Sequence, residues 1–142
     1  MAQAAATGRV ALMSIHPRYA WAILEGRKTV EFRKRRLADD VTHVVIYSTL
    51  PDRAVVGYFA VEGQETSTPA SLWGQFHDRG VIDESDFFTY YAGRDRATGI
   101  RVGAVTRLRT PLSLALDLGV PHPPQSFQYL PSDRFAKVLA AA

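Results

Sequence analysis

Cysteine is absent from the 142 residues of the chain. Its absence excludes a disulfide framework, a thiolate nucleophile and a zinc site with cysteine ligands. Histidine is scarce, and His16, His43, His77 and His122 have no spacing that would place two imidazoles on one helix face. The sequence therefore predicts no protein-bound transition metal.

Three common catalytic signatures are also missing. The sequence has no Gly-x-Ser-x-Gly elbow, no phosphate-binding P-loop and no dinucleotide glycine fingerprint. These absences argue against the usual hydrolase, nucleotidase and oxidoreductase templates. Residues 1 to 9 are mostly small, with Arg9 ahead of only a short apolar run, and they resemble neither a signal peptide nor a membrane span. We therefore predict a disordered N-terminal tail over residues 1 to 9, no membrane partner and a cytoplasmic location.

Length and composition predict one folded domain over residues 10 to 140. A chain of this length with 46% hydrophobic residues can form a single core, and no repeat or linker divides it. The alanine-rich ends of the chain are predicted to be disordered. The net charge is only +3, so the protein is locally rather than globally basic.

Apolar periodicity predicts a mixed α+β fold. A strand over residues 10 to 15 precedes a helix that Pro17 begins and Gly26 ends, and a strand over residues 29 to 33 follows. The pattern indicates further strands at 44–47, 54–61, 100–108 and 127–130, and further helices that begin near Pro69, Asp83 and Ser132. Because the strands outnumber the helices that could cover them, we expect a curved mixed β-sheet that closes into a small β-barrel with flanking α-helices.

Six of the 17 lysine and arginine residues are concentrated between Gly26 and Arg36, around one carboxylate, Glu31. A concentration of cations in an otherwise nearly balanced chain favours a binding site for a polyanion. Lys28 stands where the chain leaves the Gly26 turn, and we expect it at the rim of this site.

The alternation within this segment predicts a strand with one buried face. Val30 and Phe32 are apolar, whereas Thr29, Glu31 and Arg33 are polar and would share the open face. The alternative interpretation is a solvated strand end on which Glu31 and Arg33 form a surface ion pair of little energetic weight.

The run Gly26-Arg27-Lys28-Thr29-Val30-Glu31-Phe32-Arg33 fits the pattern Gly-x-Lys-x-x-Glu-x-Arg and resembles the ASCH domains of the PUA-like superfamily. The resemblance covers roughly residues 10 to 130. It implies a β-barrel with flanking helices and a cleft, lined by the motif, that receives RNA or another nucleic acid. Some relatives resemble metal-dependent ribonucleases, and a short branch resembles amidohydrolases that act on acylated nucleosides. That branch has a threonine where this chain has Glu31, which argues against acyl transfer.

The leading hypothesis is a nucleic-acid-binding domain, with a regulatory role, that holds RNA or another single strand in a basic cleft. The predicted contact residues are Ser14, Arg27, Lys28, Glu31, Arg33, Lys34, Arg35, Arg36, Tyr47 and Ser126. A regulatory domain that recognises a modified nucleoside stays open, as does the oligomeric state.

The alternative hypothesis is a ribonuclease or a nucleoside-directed amidohydrolase. Lys28 would then be the general base, and Glu31 would be the second catalytic residue. No cofactor is expected, apart from Mg²⁺ held by a nucleic-acid phosphate and one carboxylate if the protein is a nuclease. The direction of any shift in the pKa of Lys28 stays open, because neighbouring cations lower it and Glu31 raises it.

Overall fold

The structure, a computed structural model, describes residues 8 to 142. Within this range six strands form one sheet, and five helices flank it. The strands are β1 (Arg9–Ile15), β2 (Val30–Arg33), β3 (Val41–Ser48), β4 (Ala54–Ser67), β5 (Ala97–Leu112) and β6 (Phe127–Leu130). The helices are α1 (Pro17–Leu24), α2 (Pro69–Phe76), α3 (Glu84–Tyr90), α4 (Leu114–Leu118) and α5 (Ser132–Ala140). The predicted α+β class is confirmed, and no helix of residues 8 to 142 is long and apolar enough to cross a membrane.

The strand order of the sheet is β2-β5-β4-β3-β1-β6. β1 and β3 are parallel, whereas the other paired strands are antiparallel. Within residues 8 to 142, β2 and β6 are the two edges and do not pair, so the predicted closure into a barrel is not confirmed. The sheet nevertheless curls. Arg33 on the β2 edge reaches β1, which lies far from β2 in the strand order, and donates a hydrogen bond to the carbonyl oxygen of Ser14.

Both faces of the sheet are buried, which explains why β1 is apolar throughout. Val10 and Leu12 pack on one face, in a cluster that includes residues of α4 and α5. Ala11 and Met13 point to the other face and pack with residues of α1. Side chains alternate along a strand, so an uninterrupted apolar run is the pattern of a strand covered on both sides.

A third apolar cluster fixes the position of β2 and of helix α3. Val30 and Phe32 pack against residues of α2 and α3, and the Phe32 ring meets the Phe87 ring edge to face at a centroid distance of 4.9 Å. Gly80 lies against Phe32 so closely that a Cβ atom there would collide with the ring. This packing holds α3 beside β2, and it confirms that Val30 and Phe32 are buried.

The two ends of the described chain differ from the sequence prediction. Residues 1 to 7 of the predicted N-terminal tail lie outside the described residues, but Arg9 is the first residue of β1. Its guanidinium pairs with Asp40 at 2.9 Å, which places it beside the start of β3. The C-terminal alanines are not disordered, because α5 extends to Ala140 and the Ala141 carbonyl accepts a hydrogen bond from the Arg109 amide at 2.9 Å.

Two strands are longer than their apolar patterns. β4 continues to Ser67 and β5 spans Ala97–Leu112, because the two strands pair with each other as far as Ser67 opposite Ala97. Polar side chains in these extensions hide the strand period from a reading based on hydrophobicity.

Replacement of Phe32 by alanine tests the third cluster. Phe32 is 6% exposed, so Phe32→Ala should lower the free energy of unfolding by about 3 to 5 kcal/mol through lost burial and a residual cavity. Phe88, on the neighbouring helix but 37% exposed, is the matched control, and Phe88→Ala should cost only about 1 kcal/mol. Urea unfolding of both variants measures the difference, and equal losses would contradict this account of β2.

Candidate functional site

A cleft of about 1330 Å³ lies where the two ends of the sheet approach each other. Its walls come from the end of β1, the start of α1, β2, the loop after β3, α3 and the segment before β6. Seven lysine or arginine residues and two carboxylates, Glu31 and Asp86, are among the described lining residues, so the cleft carries a positive potential. The seven cations are Arg18, Lys28, Arg33, Lys34, Arg35, Arg53 and Arg94.

Lys28 forms part of the cleft floor. Gly26, with φ of 81°, turns the chain after α1, and the amides of Arg27 and Lys28 then both donate to the Ala22 carbonyl. This turn directs the Lys28 side chain inward, where it is only 3% exposed. Lys28 Nζ donates to the Gly80 carbonyl oxygen at 2.5 Å and lies 3.4 Å from Glu31 Oε1.

Glu31 and Arg33 continue this line of contacts along β2. Arg33 Nε donates to Glu31 Oε2 at 3.1 Å, and the two side chains are 10% and 7% exposed. Arg33 Nη2 donates to the Ser14 carbonyl at 2.7 Å, and Nη1 donates to Ser126 Oγ at 3.3 Å. We call Lys28, Glu31 and Arg33 the buried ion triad.

The prediction that Glu31 and Arg33 lie on an open face of β2 is therefore wrong. The alternative prediction, that they form a surface ion pair, is wrong as well. Glu31 and Arg33 do share a face opposite Val30 and Phe32, as the alternation predicted, but that face is covered. The covering elements come from distant parts of the chain, including Ser14 and the segment around Ser126, and no local pattern shows their approach.

Burial changes the pKa of Lys28 at the cleft floor. Removal from water lowers the pKa of Lys28 below its ordinary value, and this effect outweighs Glu31, which raises the pKa. Arg33 and Arg18 lower it further by charge repulsion. The structure thus answers the question that the sequence left open, since the net effect of the surroundings is to favour the neutral amine.

Lys34 and Arg35 extend from β2 to opposite walls of the cleft. Lys34 Nζ lies over the Tyr90 ring of α3 at 4.7 Å, and the Arg35 guanidinium lies over the Phe127 ring of β6 at 4.7 Å. Both cations are exposed, so they present charge to solvent along the rim.

The remaining predicted polar residues lie on the β1 and β3 side. Ser14 Oγ donates to the Pro124 carbonyl at 2.6 Å, and Tyr47 stands opposite Ser14 in the pairing of β1 with β3. Ser14, Tyr47 and Ser126 all line the cleft. The structure thereby brings together residues 14, 47 and 126 with β2, as the sequence analysis expected of its candidate site.

Two predicted contact residues lie outside the cleft. Arg27 is exposed and pairs with Glu25 at 2.8 Å, and Arg36 pairs with Asp39 at 3.0 Å. Each of these arginines has a carboxylate two or three residues away, and that local partner holds the guanidinium away from the cleft lining.

Several lining residues were missed by the sequence analysis. Arg18 and Tyr19 lie in the first turn of α1, directly after the end of β1. This position at a strand end could have predicted that they line the cleft. Arg53, with φ of 47°, follows the β3 exit. Tyr90 and Arg94 could not be found from local sequence, because only the packing of α3 against β2 brings them to the wall.

The donor set does not fit a magnesium ion held by the protein. Both oxygens of Glu31 face cations of the triad, and Asp86 lies 3.9 Å from Arg18. Residues 8 to 142 contain no group of three or more histidine, aspartate or glutamate side chains that could hold a metal ion. A cation would therefore have to bring most of its ligands from a bound phosphate.

The fold and the cleft define a class of protein, a mixed α+β domain with a curled open sheet and a cationic cleft between its ends. The family model of the ASCH domain matches residues 13 to 105, so the chain belongs to the ASCH family. The predicted resemblance to ASCH domains of the PUA-like superfamily is confirmed.

Individual relatives agree with this assignment. The crystal structure of ASCH from Zymomonas mobilis has a TM-score of 0.85 at 27% identity, covering 92% of this chain and 94% of that chain. An ASCH domain-containing ribonuclease of Zymomonas mobilis is 28% identical over 134 residues, which span 92% of this chain and 90% of that protein. The N-terminal domain of Staphylothermus marinus McrB has a similar fold, with a TM-score of 0.58 at 9% identity.

A large ribosomal subunit protein, uL22 of Ureaplasma parvum, is 29% identical to the chain over 125 residues. The match spans 87% of this chain but only 40% of that protein, so the chain covers about two fifths of this relative.

Loss of the negative charge in the triad should destabilise the fold. Glu31→Gln leaves the buried Arg33 guanidinium without a carboxylate, and we expect a loss of about 3 kcal/mol in the free energy of unfolding. Glu65, which pairs with Arg101 while 42% exposed, is the matched control, and Glu65→Gln should cost less than about 1 kcal/mol. Chemical denaturation compares the two, and an unchanged Glu31→Gln midpoint would show that the triad is not held by this charge.

Proposed function

We propose that the chain binds single-stranded RNA in the cleft between the two ends of its sheet. The observation that carries this proposal is the charge of the lining. The Arg33 guanidinium balances the charge of Glu31, so the cations of the rim remain for a bound polyanion. RNA supplies such a polyanion, and phosphate contacts provide most of the affinity for nucleic acid.

Aromatic side chains in the same walls favour a single strand over a duplex. Tyr19 and Tyr90 line the cleft on one side, and Tyr47 lines it on the other. Unpaired bases stack on such rings, whereas bases inside a duplex do not present their faces. At the floor, Ser14 and Ser126 offer hydroxyl groups to an unstacked base or to a ribose.

The relatives support an RNA ligand. A relative that matches over nearly its whole length is named a ribonuclease, and another is named a ribosomal protein. The charge of the cleft does not by itself separate RNA from single-stranded DNA, so a comparison of the two strands belongs in any binding experiment.

The salt dependence of binding tests which cations touch phosphate. Arg35→Ala should weaken RNA binding and flatten the slope of log affinity against log salt by about 0.7, the value for one lost contact to a single strand. Arg36→Ala is the matched control, since its guanidinium is held by Asp39 outside the cleft, and it should change neither quantity. Fluorescence anisotropy over a range of salt concentrations gives both slopes, and equal effects of the two variants would contradict the proposed location.

RNA cleavage is a second candidate function, and the lowered pKa of Lys28 favours it. A neutral Lys28 Nζ can accept the proton of a ribose 2′-hydroxyl, whose oxygen then attacks the adjacent phosphorus while the 5′-oxygen leaves. All three nitrogens of the Arg33 guanidinium already donate hydrogen bonds within the protein. We therefore assign Arg33 the role of holding the residues of the cleft floor in position. The rim cations are left to stabilise the charge that develops on the phosphate.

Lys28→Arg separates binding from proton transfer. A guanidinium keeps the positive charge but stays protonated at any accessible pH, so we expect most of the RNA affinity to persist and any cleavage to disappear. In the wild type, cleavage should rise with pH and level off above the lowered pKa of Lys28, because only the neutral amine accepts a proton.

The assay follows a labelled single-stranded RNA in parallel with binding, and a thermal melt confirms that the variant is folded. Full cleavage by Lys28→Arg would eliminate Lys28 as the general base. If the wild type binds RNA but does not cleave it, the cleavage proposal is wrong and the binding proposal stands.

A further inference from the structure

We propose that Lys28 is also a nucleophile, and that the cleft takes a single strand with an abasic sugar whose aldehyde carbon forms a Schiff base with Lys28 Nζ. The inference rests on the proposed binding of a single strand in the cleft, but it does not depend on RNA cleavage. An aldehyde on a sugar phosphate chain is the shared chemistry, whether the strand is RNA or DNA.

The two polar contacts of Lys28 Nζ match the two hydrogens of a neutral amine. A neutral primary amine has two hydrogens and one lone pair, whereas an ammonium has three hydrogens and no lone pair. Two acceptors lie near Nζ, the Gly80 carbonyl at 2.5 Å and Glu31 Oε1 at 3.4 Å. These two contacts use both hydrogens of the neutral form, so the lone pair is left for an electrophile in the cleft.

The surroundings of Nζ keep water away from this lone pair. The rings of Tyr19 and Phe32 lie with their centroids 4.9 Å and 5.4 Å from Nζ, and both residues line the cleft. Burial among such groups lowers the pKa of Lys28 against the opposing effect of Glu31. Desolvated lysines of this kind form Schiff bases with carbonyl compounds.

The distribution of lysine in the chain supports a chemical rather than a purely electrostatic role. Only three of the 17 basic residues are lysines, namely Lys28, Lys34 and Lys137, and the others are arginines. Arginine contacts phosphate in bidentate geometry but does not act as an amine nucleophile. Lys34 and Lys137 are exposed, so Lys28, at the floor of the cationic cleft, is the one buried lysine of the chain.

An abasic nucleotide is the partner that this floor fits. The cations of the rim suit the phosphates of a nucleic-acid strand, and a Schiff base with Lys28 Nζ needs an aldehyde on that strand. Loss of the base leaves a sugar whose ring-opened form carries an aldehyde at C1′, while its phosphates can still contact the rim cations.

The reaction balances without an oxidant or a reductant. The lone pair of Nζ attacks C1′, the new C–N bond forms as the carbonyl π bond breaks, and the first of the two Nζ protons moves to the oxygen, which becomes a hydroxyl. Glu31 Oε1, 3.4 Å from Nζ, can accept a proton from the amine and return it as this hydroxyl leaves. The amine and the aldehyde thus become an imine and one water.

Borohydride trapping tests the inference, because borohydride reduces an imine to a stable secondary amine. The wild-type chain is mixed with a labelled short RNA that carries one abasic site, with the equivalent abasic DNA, and with both intact strands. Each mixture is reduced, resolved on a denaturing gel and digested for peptide mapping. We expect a covalent adduct on Lys28 with abasic strands and none with intact strands, and the RNA and DNA arms show which strand the cleft prefers.

Two variants act as controls. Lys28→Arg keeps the charge but lacks the amine, so the adduct should fall by at least about tenfold. Lys137→Arg removes an exposed amine that lies outside the cleft lining, and it should retain the adduct at saturating protein. If Lys28→Arg does not fold, which a thermal melt would show, the peptide map of the wild-type adduct still decides the question.

The outcomes separate this inference from the function on which it rests. Binding of intact strands by anisotropy without any adduct, or with an adduct on another amine, would overturn the nucleophile and leave the binding proposal standing. Failure of both intact and abasic strands to bind would overturn both proposals. An adduct confined to Lys28 would support both.

Discussion

Arg33 carries the contact on which the rest of the structure depends, because its buried guanidinium spans the gap between the two ends of the sheet. It joins β2 to Ser14 on β1 and to Ser126 before β6, where a closed barrel would have backbone pairing. A buried guanidinium needs a counterion, and Glu31 supplies one. Lys28 then pairs with the second oxygen of Glu31. The side-chain bridge leaves room that a pair of hydrogen-bonded strands would fill, and this room is the cleft.

Most of the fold could be predicted from the sequence, because local signals define its elements. The apolar run of β1, the proline at the start of α1 and the glycine turn after it all lie where the pattern placed them. The extensions of β4 and β5 were missed, since polar strand residues lack a hydrophobic period. The C-terminal alanines were misjudged, because their order depends on a contact with Arg109 on β5, far away in the sequence.

The site was predictable in its residues but not in its burial. The motif of β2 and the polar residues 14, 47 and 126 meet at the cleft, as strand-end positions suggested. The sequence placed Glu31 and Arg33 on an open face, because alternation shows which residues share a face but not what covers it. Arg27 and Arg36 were predicted to contact the ligand because they belong to the basic segment. Charge density does not show that Glu25 and Asp39 pair with them outside the cleft.

The burial of Lys28 connects the fold to both proposed chemistries, because a neutral amine can accept a proton from RNA or attack an aldehyde. Direct titration of the lysine Nζ groups by NMR is the measurement that tests this claim. With only three lysines in the chain, and Lys28→Arg to assign the signal, each amine can be followed separately. The account predicts that the pKa of Lys28 lies below the ordinary lysine value of about 10.4. A Lys28 signal that titrates at or above that ordinary value of about 10.4 would contradict it.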